Sequence, residues 1–209
     1  MFNKSNNWGP SMMPTRPPGE PSDNDLIMRV CASDTVAFEA LYKRYYPKLF
    51  RFAFRVTRQV DQIEEIINDV MYVVWTRASS FHPESRASTW IFGIAYNKCL
   101  KSMSARLPGE HLELEDAEGL IPGVQDRDLQ NLELEDWVMV AFGKLTEEQR
   151  AVLELTYRHG LHYAEIAKIM DCPENTVKTR IFHARKKLKE LFPDFLADSS
   201  ADHKGSSRV

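Results

Sequence analysis

Apolar residues recur three and four positions apart through two long stretches of this chain, Asp23 to Met103 and Leu132 to Leu196. Ile63, Ile66, Ile67, Val70 and Val74 form one such stripe, the spacing that brings side chains to a single face of a helix. No segment alternates apolar and polar positions as a strand would, so the expected fold is all-α, with two helical domains at 23–103 and 132–196. The predicted linker between them covers 104–131. Residues 1–22 contain PSMMPTRPPGEPS, whose prolines forbid helix, and 197–209 are small and polar; both ends are expected to be disordered tails. The longest apolar runs, such as Val70 to Trp75, are far shorter than a bilayer span, and the N-terminus lacks the order of a signal peptide. A cytoplasmic protein with no membrane insertion is expected.

The second stretch holds a more specific pattern. In LTEEQRAVLEL, Thr146 is placed to cap a helix and Gln149 to close a capping box, with an end predicted near His159 and Gly160 as the stop. YAEIAKIM, Tyr163 to Met170, reads as a short helix burying Ile166, Ala167 and Met170. DCPEN then turns, with Pro173 near a helix start where its missing donor costs nothing. A third helix begins around Asn175. Helix, short turn and basic second helix make a helix-turn-helix, whose second helix enters the DNA major groove by its N-terminal part. Val177, Ile181, Ala184 and Leu188 mark the buried stripe, which leaves Asn175, Thr176, Lys178, Thr179, Arg180, His183 and Arg185 as the candidate DNA surface.

Charge sharpens that picture. The 209 residues carry a formal net charge of -3, but Glu110 to Asp136 holds ten acids against one arginine, so this run is -9 and the remainder +6. From Glu174 to Glu190 six bases stand against two acids, and the acids are at the two ends rather than in a ladder of paired charges. A phosphate backbone is the economical partner for that excess. Arg180 fits a base reader and a phosphate contact equally well. His183 reads as a polar groove contact, because no second metal ligand lies at helical spacing from it. The acidic run has two readings, a soluble tether or an imitation of nucleic acid, between which charge alone does not choose.

Other chemistry is thin. Cys31, Cys99 and Cys172 are too scattered for a disulfide framework or a zinc knuckle. There is no glycine-rich phosphate loop, paired metal-ligand motif or serine or cysteine nucleophile signature, and Gly160 breaks the helix that would let His159 and His162 share a face. Neither an enzyme, a cofactor nor a bound metal is expected.

YAEIAKIMDCPENTVKTRIFHARKKLKE resembles domain 4 of the sigma-70 family of bacterial transcription initiation factors, especially its small extracytoplasmic function (ECF) group. Independently, EEIINDVMYVVWTRASSFHPESRASTWIFGIAYNKCLK resembles ECF domain 2, with an acidic amphipathic helix, a loop, and a helix bearing Trp and Ala-x-Asn in that order. The resemblance implies a sigma factor that binds core RNA polymerase at the beta-prime clamp and beta flap and initiates transcription from promoter DNA, often under an anti-sigma factor. Glu65, Asn68, Asp69 and Trp75 fall where the family docks on the clamp helices. Phe81, His82, Arg86, Thr89, Trp90 and Asn97 fall where it captures the melted minus 10 strand, and the helix-turn-helix falls where it reads the minus 35 duplex. Flat apolar faces, an amide and cations are what an unstacked base and its backbone require. Within that set the neighbours Ile91, Ile94 and Ala95 favour a core role for Trp90, and Phe81 and Asn97 are the better functional candidates. The resemblance also implies that the acidic run occupies the polymerase's nucleic-acid channel.

Three positions depart from the family pattern. Asn68 stands where many members have Gln, Gly93 where many have Arg, and Asp171 where the turn usually has Gly. Asp tolerates a left-handed backbone, so the turn survives; Gly93 weakens its helix and removes a cation expected to face single-stranded DNA. LTEEQRAVLEL, EIA and TVKTR also resemble the DNA-binding domain of two-component response regulators. A receiver domain in front of it would need alternating strands and helices.

Overall fold

The computed structural model describes residues 20–105 and 140–191. The acidic run, nearly all of the predicted linker and N-terminal tail, and the whole C-terminal tail lie outside the described residues. In the first half, α1 (Asp23–Cys31) starts in a reciprocal capping box between Ser22 and Asp25. Asp34 caps α2 (Thr35–Thr57) through the Ala37 N–H, and Arg58, left-handed at φ 58°, ends it. α3 (Ile63–Thr76) buries the predicted stripe, together with Met71. A turn of 3-10 helix, Ala78–Ser80, and the loop at 81–86 lead into α4 (Ala87–Ser104). These helices enclose one apolar interior built on Leu26, Ile27, Leu41, Phe52, Ile67, Val70 and Phe92.

The second half follows the predicted pattern closely. Thr146 and Gln149 form the capping box of α5 (Glu147–Leu153), which continues into a single π-type turn, Glu154–Arg158. Gly160 takes φ 59°, the left-handed conformation that closes a helix at low cost for glycine. α6 (Tyr163–Ile169) and α7 (Glu174–Leu191) flank the short turn, where Asp171 is left-handed at φ 46°. Along α7, Val177, Ile181 and Ala184 are buried and Leu188 packs at the edge.

The halves are docked. α5 lies on α2 and α6 on α4, and Leu155, Leu161, Ile166 and Ile169 join the same apolar cluster as Phe52 and Phe92. Polar groups clamp this seam. Arg150 donates from Nε and Nη2 to the Val56 carbonyl at 2.9 and 2.7 Å, and from Nη1 to the Leu145 carbonyl at 2.8 Å. Arg55 pairs with the buried Glu154 at 2.8 Å. The His159 ring packs 3.9 Å from the Phe92 ring, centroid to centroid, with Phe52 at 6.2 Å.

Candidate nucleic-acid interface

The helix-turn-helix presents a shallow open concavity lined by Thr146 and Gln149 at the start of α5 and by Asn175, Thr176, Thr179, Arg180 and His183 on α7. It gathers five of the seven predicted residues; Lys178 and Arg185 are also exposed on α7. Arg180 is partly buried, with Nη1 3.5 Å from the Cys172 sulfur, which holds the guanidinium beside the turn. The two acids of α7 are not idle: Glu174 pairs with Lys178 at 2.8 Å and Glu190 with Lys186 at 3.8 Å, both at i, i+4. This corrects the expectation that they take no part in such pairs. Exposed pairs of this kind contribute a few tenths of a kcal/mol, about 0.3–0.5, and leave Arg180, Arg185, Lys187 and Lys189 without an ion pair among the described residues. Phe182 is 64% exposed beside His183 and was not singled out by the sequence, although it lies off the buried stripe.

The second cluster surrounds the loop between α3 and α4. His82 and Arg86 are exposed on the loop, and Thr89 and Trp90 follow on the first turn of α4. Phe81 is 5% exposed and packs under Trp90, ring centroids 5.5 Å apart. The expectation is therefore corrected for Phe81, which is the buried floor, while Trp90, expected in the core, is partly buried and packs against the same interior with its ring nearer to solvent than that of Phe81. Asn97 is exposed two turns further along α4.

Part of this cluster is already occupied. Glu165 of α6 accepts from Thr89 Oγ1 at 2.7 Å, pairs with Arg86 Nη1 at 3.4 Å, and accepts the His162 N–H at 2.8 Å. Burial works against its charge, but the bonds from Thr89 and His162 and the nearby Arg86 outweigh that and hold the carboxyl below its ordinary range. Gly93 lies on the same seam, where an added Cβ would meet Ile169 at 3.9 Å. In the docked arrangement this position faces α6, which revises the expectation that it faces single-stranded DNA.

A third surface runs along α3. Glu65 and Asn68 are exposed, and Trp75 is half-buried with its ring edge-on to Phe38 at 5.1 Å. Asp69 is tied to Lys98 of α4 at 2.6 Å, and Asn68 accepts a long bond of 3.4 Å from the Tyr42 hydroxyl. Tyr72, missed by the sequence reading, is 67% exposed between Asn68 and Trp75 on the same face. Spacing alone could have found it, since 65, 68, 72 and 75 follow one helical stripe. Among the described residues no group of side chains is arranged to hold a metal ion, and no helix is long and apolar enough to cross a membrane.

Residues 41–106 match the family described as Sigma-70 region 2, and residues 135–188 match Sigma-70, region 4. The chain is 33% identical over 178 residues to the ECF RNA polymerase sigma-E factor of Haemophilus influenzae, covering 80% of this chain and 94% of that protein. It is 30% identical to the sigma-E factor of Escherichia coli strain K12, covering 79% and 91%. Among solved structures it is similar to CnrH in complex with the cytosolic domain of CnrY, with a TM-score of 0.62 and 23% identity over 83% of this chain and 98% of that one. It is also similar to the sigma factor RpoE in complex with the anti-sigma factor NepR from Bartonella quintana, with a TM-score of 0.60 and 25% identity over 75% and 97%.

Proposed function

The chain belongs to the ECF group of the sigma-70 family of RNA polymerase sigma factors, and from that premise we propose how its surfaces divide the work of transcription initiation. Residues 23–103 form the core-binding and minus 10 domain, and residues 132–196 form the minus 35 domain. The outward face of α7, with Asn175, Thr176, Lys178, Thr179, Arg180, His183 and Arg185, reads minus 35 duplex. Its Lys and Arg side chains supply phosphate contacts, and its first two turns reach base edges. His82, Arg86, Thr89, Trp90 and Asn97 hold the melted minus 10 strand, with Phe81 fixing Trp90 from below. Glu65, Asn68, Asp69, Tyr72 and Trp75 dock on the beta-prime clamp of core polymerase, and the beta flap receives the second domain. The sigma factor acts in the cytoplasm and catalyses no reaction itself; its family is not one of enzymes.

The observation that carries this reading is the presence in one chain of a basic helix-turn-helix face and, on separate helices, an acidic, aromatic-bearing α3 stripe. A response regulator is disfavoured because every described element of residues 20–105 is helical. The solved complex of RpoE with the anti-sigma factor NepR supports an anti-sigma factor as a further partner. Because Glu165 holds Thr89 and pairs with Arg86, those two side chains exchange that carboxylate for DNA when the minus 10 strand binds.

Arg180→Ala tests the assignment. A lost bidentate base contact costs about 1–3 kcal/mol, so run-off transcription from a minus 35 dependent promoter should fall roughly 5- to 150-fold, with core polymerase captured as by the parent. Equal transcription by the two proteins would remove Arg180 from the interface.

A further inference from the structure

The loop that carries His82 and Arg86 has little of its own to hold its shape. His82, Pro83, Glu84 and Arg86 are exposed, and the Ser85 N–H closes a tight turn on the His82 carbonyl at 2.8 Å. Helix α4 begins directly after it, yet Arg86, in the N-cap position, makes no side-chain cap. The missing cap comes from a residue more than sixty positions earlier. Asn24, on the first turn of α1, accepts the Ala87 N–H through Oδ1 at 2.9 Å. Its Nδ2 donates to the carbonyls of Pro83 at 3.0 Å and Ser85 at 2.9 Å. One amide thus joins both ends of the loop to α1 and starts α4.

The chemistry demands an amide. Two carbonyls need donors and one N–H needs an acceptor, and Asn satisfies all three with groups held in one plane. Aspartate could serve only Ala87 and would set negative charge against two carbonyl oxygens. The local sequence reads Ser-Asp-Asn-Asp, so the amide stands between two carboxylates at a helix start, where acid is favoured by the helix dipole. Helix α1 does not depend on it: Ser22 and Asp25 form the capping box, Asp23 accepts from the Tyr45 hydroxyl at 2.7 Å, and Leu26, Ile27 and Val30 are buried.

We propose that Asn24 is a positioning residue for promoter melting, holding loop 82–86 and the first turn of α4 in the shape that receives the minus 10 strand. This rests on the assignment of that loop to minus 10 capture. Without Asn24 the loop must be ordered when DNA binds, which lowers affinity and blurs the choice of base, because several loop shapes then accept several sequences.

The test uses holoenzyme assembled from the full chain and cognate core polymerase, with a fluorescent single-stranded minus 10 oligonucleotide of the non-template sequence and a set carrying single base changes. Asn24→Ala should bind the cognate oligonucleotide about tenfold more weakly and lose several-fold of the discrimination between cognate and changed bases, with unchanged core affinity. Asn24→Asp should be at least as impaired, although it differs from the parent by a single group. Parent-like affinity and discrimination in Asn24→Ala, or an equal loss on every oligonucleotide with discrimination intact, overturns the proposal. His82→Ala and Arg86→Ala run beside it. If these also bind as the parent does, the minus 10 assignment of the loop has failed; if they lose binding and Asn24→Ala does not, Asn24 alone has been misassigned.

Discussion

The interior of the first half and the seam between the halves are both buried and both rich in large side chains, yet they are built on different terms. Inside α1–α4 the buried set is mostly apolar, from Leu26 and Ile27 to Ile67, Val70 and Phe92; its polar groups are hydroxyls only, those of Tyr96, of Tyr45, which donates to Asp23 at 2.7 Å, and of Thr57, which donates to the Ala53 carbonyl at 2.8 Å. The seam mixes Leu155 and Ile169 with Arg55, Arg150, Glu154, His159 and Glu165. Glu154 Oε2 and His159 Nε2 are sealed from solvent with no hydrogen-bond partner among the described residues. A buried polar atom without a partner costs about 1–3 kcal/mol, against a gain of about 1 kcal/mol for a satisfied one. An apolar core holds its shape as long as the domain folds. A seam with orphaned polar atoms gains less from closing, which suits the proposed division of promoter contacts between two domains that separate.

The largest effect should come from the core. Ile67 is fully buried on α3, away from the seam, and Ile67→Ala should lower unfolding stability by about 2–5 kcal/mol through lost burial and the cavity left behind. Denaturant unfolding followed by circular dichroism measures it. A loss below about 1 kcal/mol would mean that this interior can open as readily as the seam does, and the contrast would disappear.

How much of each region the sequence showed follows from the same difference. The α3 and α7 stripes, the Thr146 and Gln149 box, the stop at Gly160 and the left-handed Asp171 are local: each is set by residues within a turn or two, and spacing reveals them. The docking of the halves is not local. Periodicity says that Leu155 and Ile169 have a buried side but not which helix covers it, and nothing in the residue types of Glu154 and His159, which are seldom fully buried, marks them as seam residues. Phe81 was misplaced for a related reason, since an aromatic residue at a loop edge suits a stacking platform and a loop anchor equally well. Asn24 gave no signal, because its partners are backbone groups about sixty residues away.

A smaller effect is expected at the seam. Arg55→Ala strands the Glu154 carboxylate, and leaving a buried charge unpaired costs about 3–5 kcal/mol. The chain can avoid most of that cost by letting α5 leave α2, so the loss should appear as separation of the halves rather than unfolding. Small-angle scattering should show a larger radius of gyration for Arg55→Ala, with the melting of the first half within a few degrees of the parent. Arg55→Ala combined with Glu154→Leu removes the stranded charge and should return the compact form. An expanded double variant would show that the Arg55–Glu154 pair is not what makes the seam polar-sensitive.

The smallest and most specific effect is acid sensitivity. Burial against Phe52 and Phe92 lowers the His159 pKa from 6.5 to about 3, and the cationic Lys48, Arg158 and Arg51 lower it in the same direction. Above pH 6.5 the imidazole is neutral whether the halves are docked or apart, and it contributes no pH dependence. As pH falls from 6.5 toward 3, the separated form takes up a proton that the docked form refuses, so docking weakens by up to about 1.4 kcal/mol per pH unit. Glu154 opposes this, because burial raises its pKa and the docked form binds its proton more readily than the separated form does. Glu165 is held below its ordinary range, so its contribution is lost only at lower pH, beneath the range in which His159 first acts. The parent should therefore expand in scattering as pH is lowered from 7.5 to 5.5. His159→Phe keeps a ring between Phe52 and Phe92 and removes the titrating nitrogen, so it should stay compact across that range, with any residual response reversed in sign by Glu154. An acid expansion of equal size in both proteins would place the sensitivity elsewhere in the seam and remove His159 as its source.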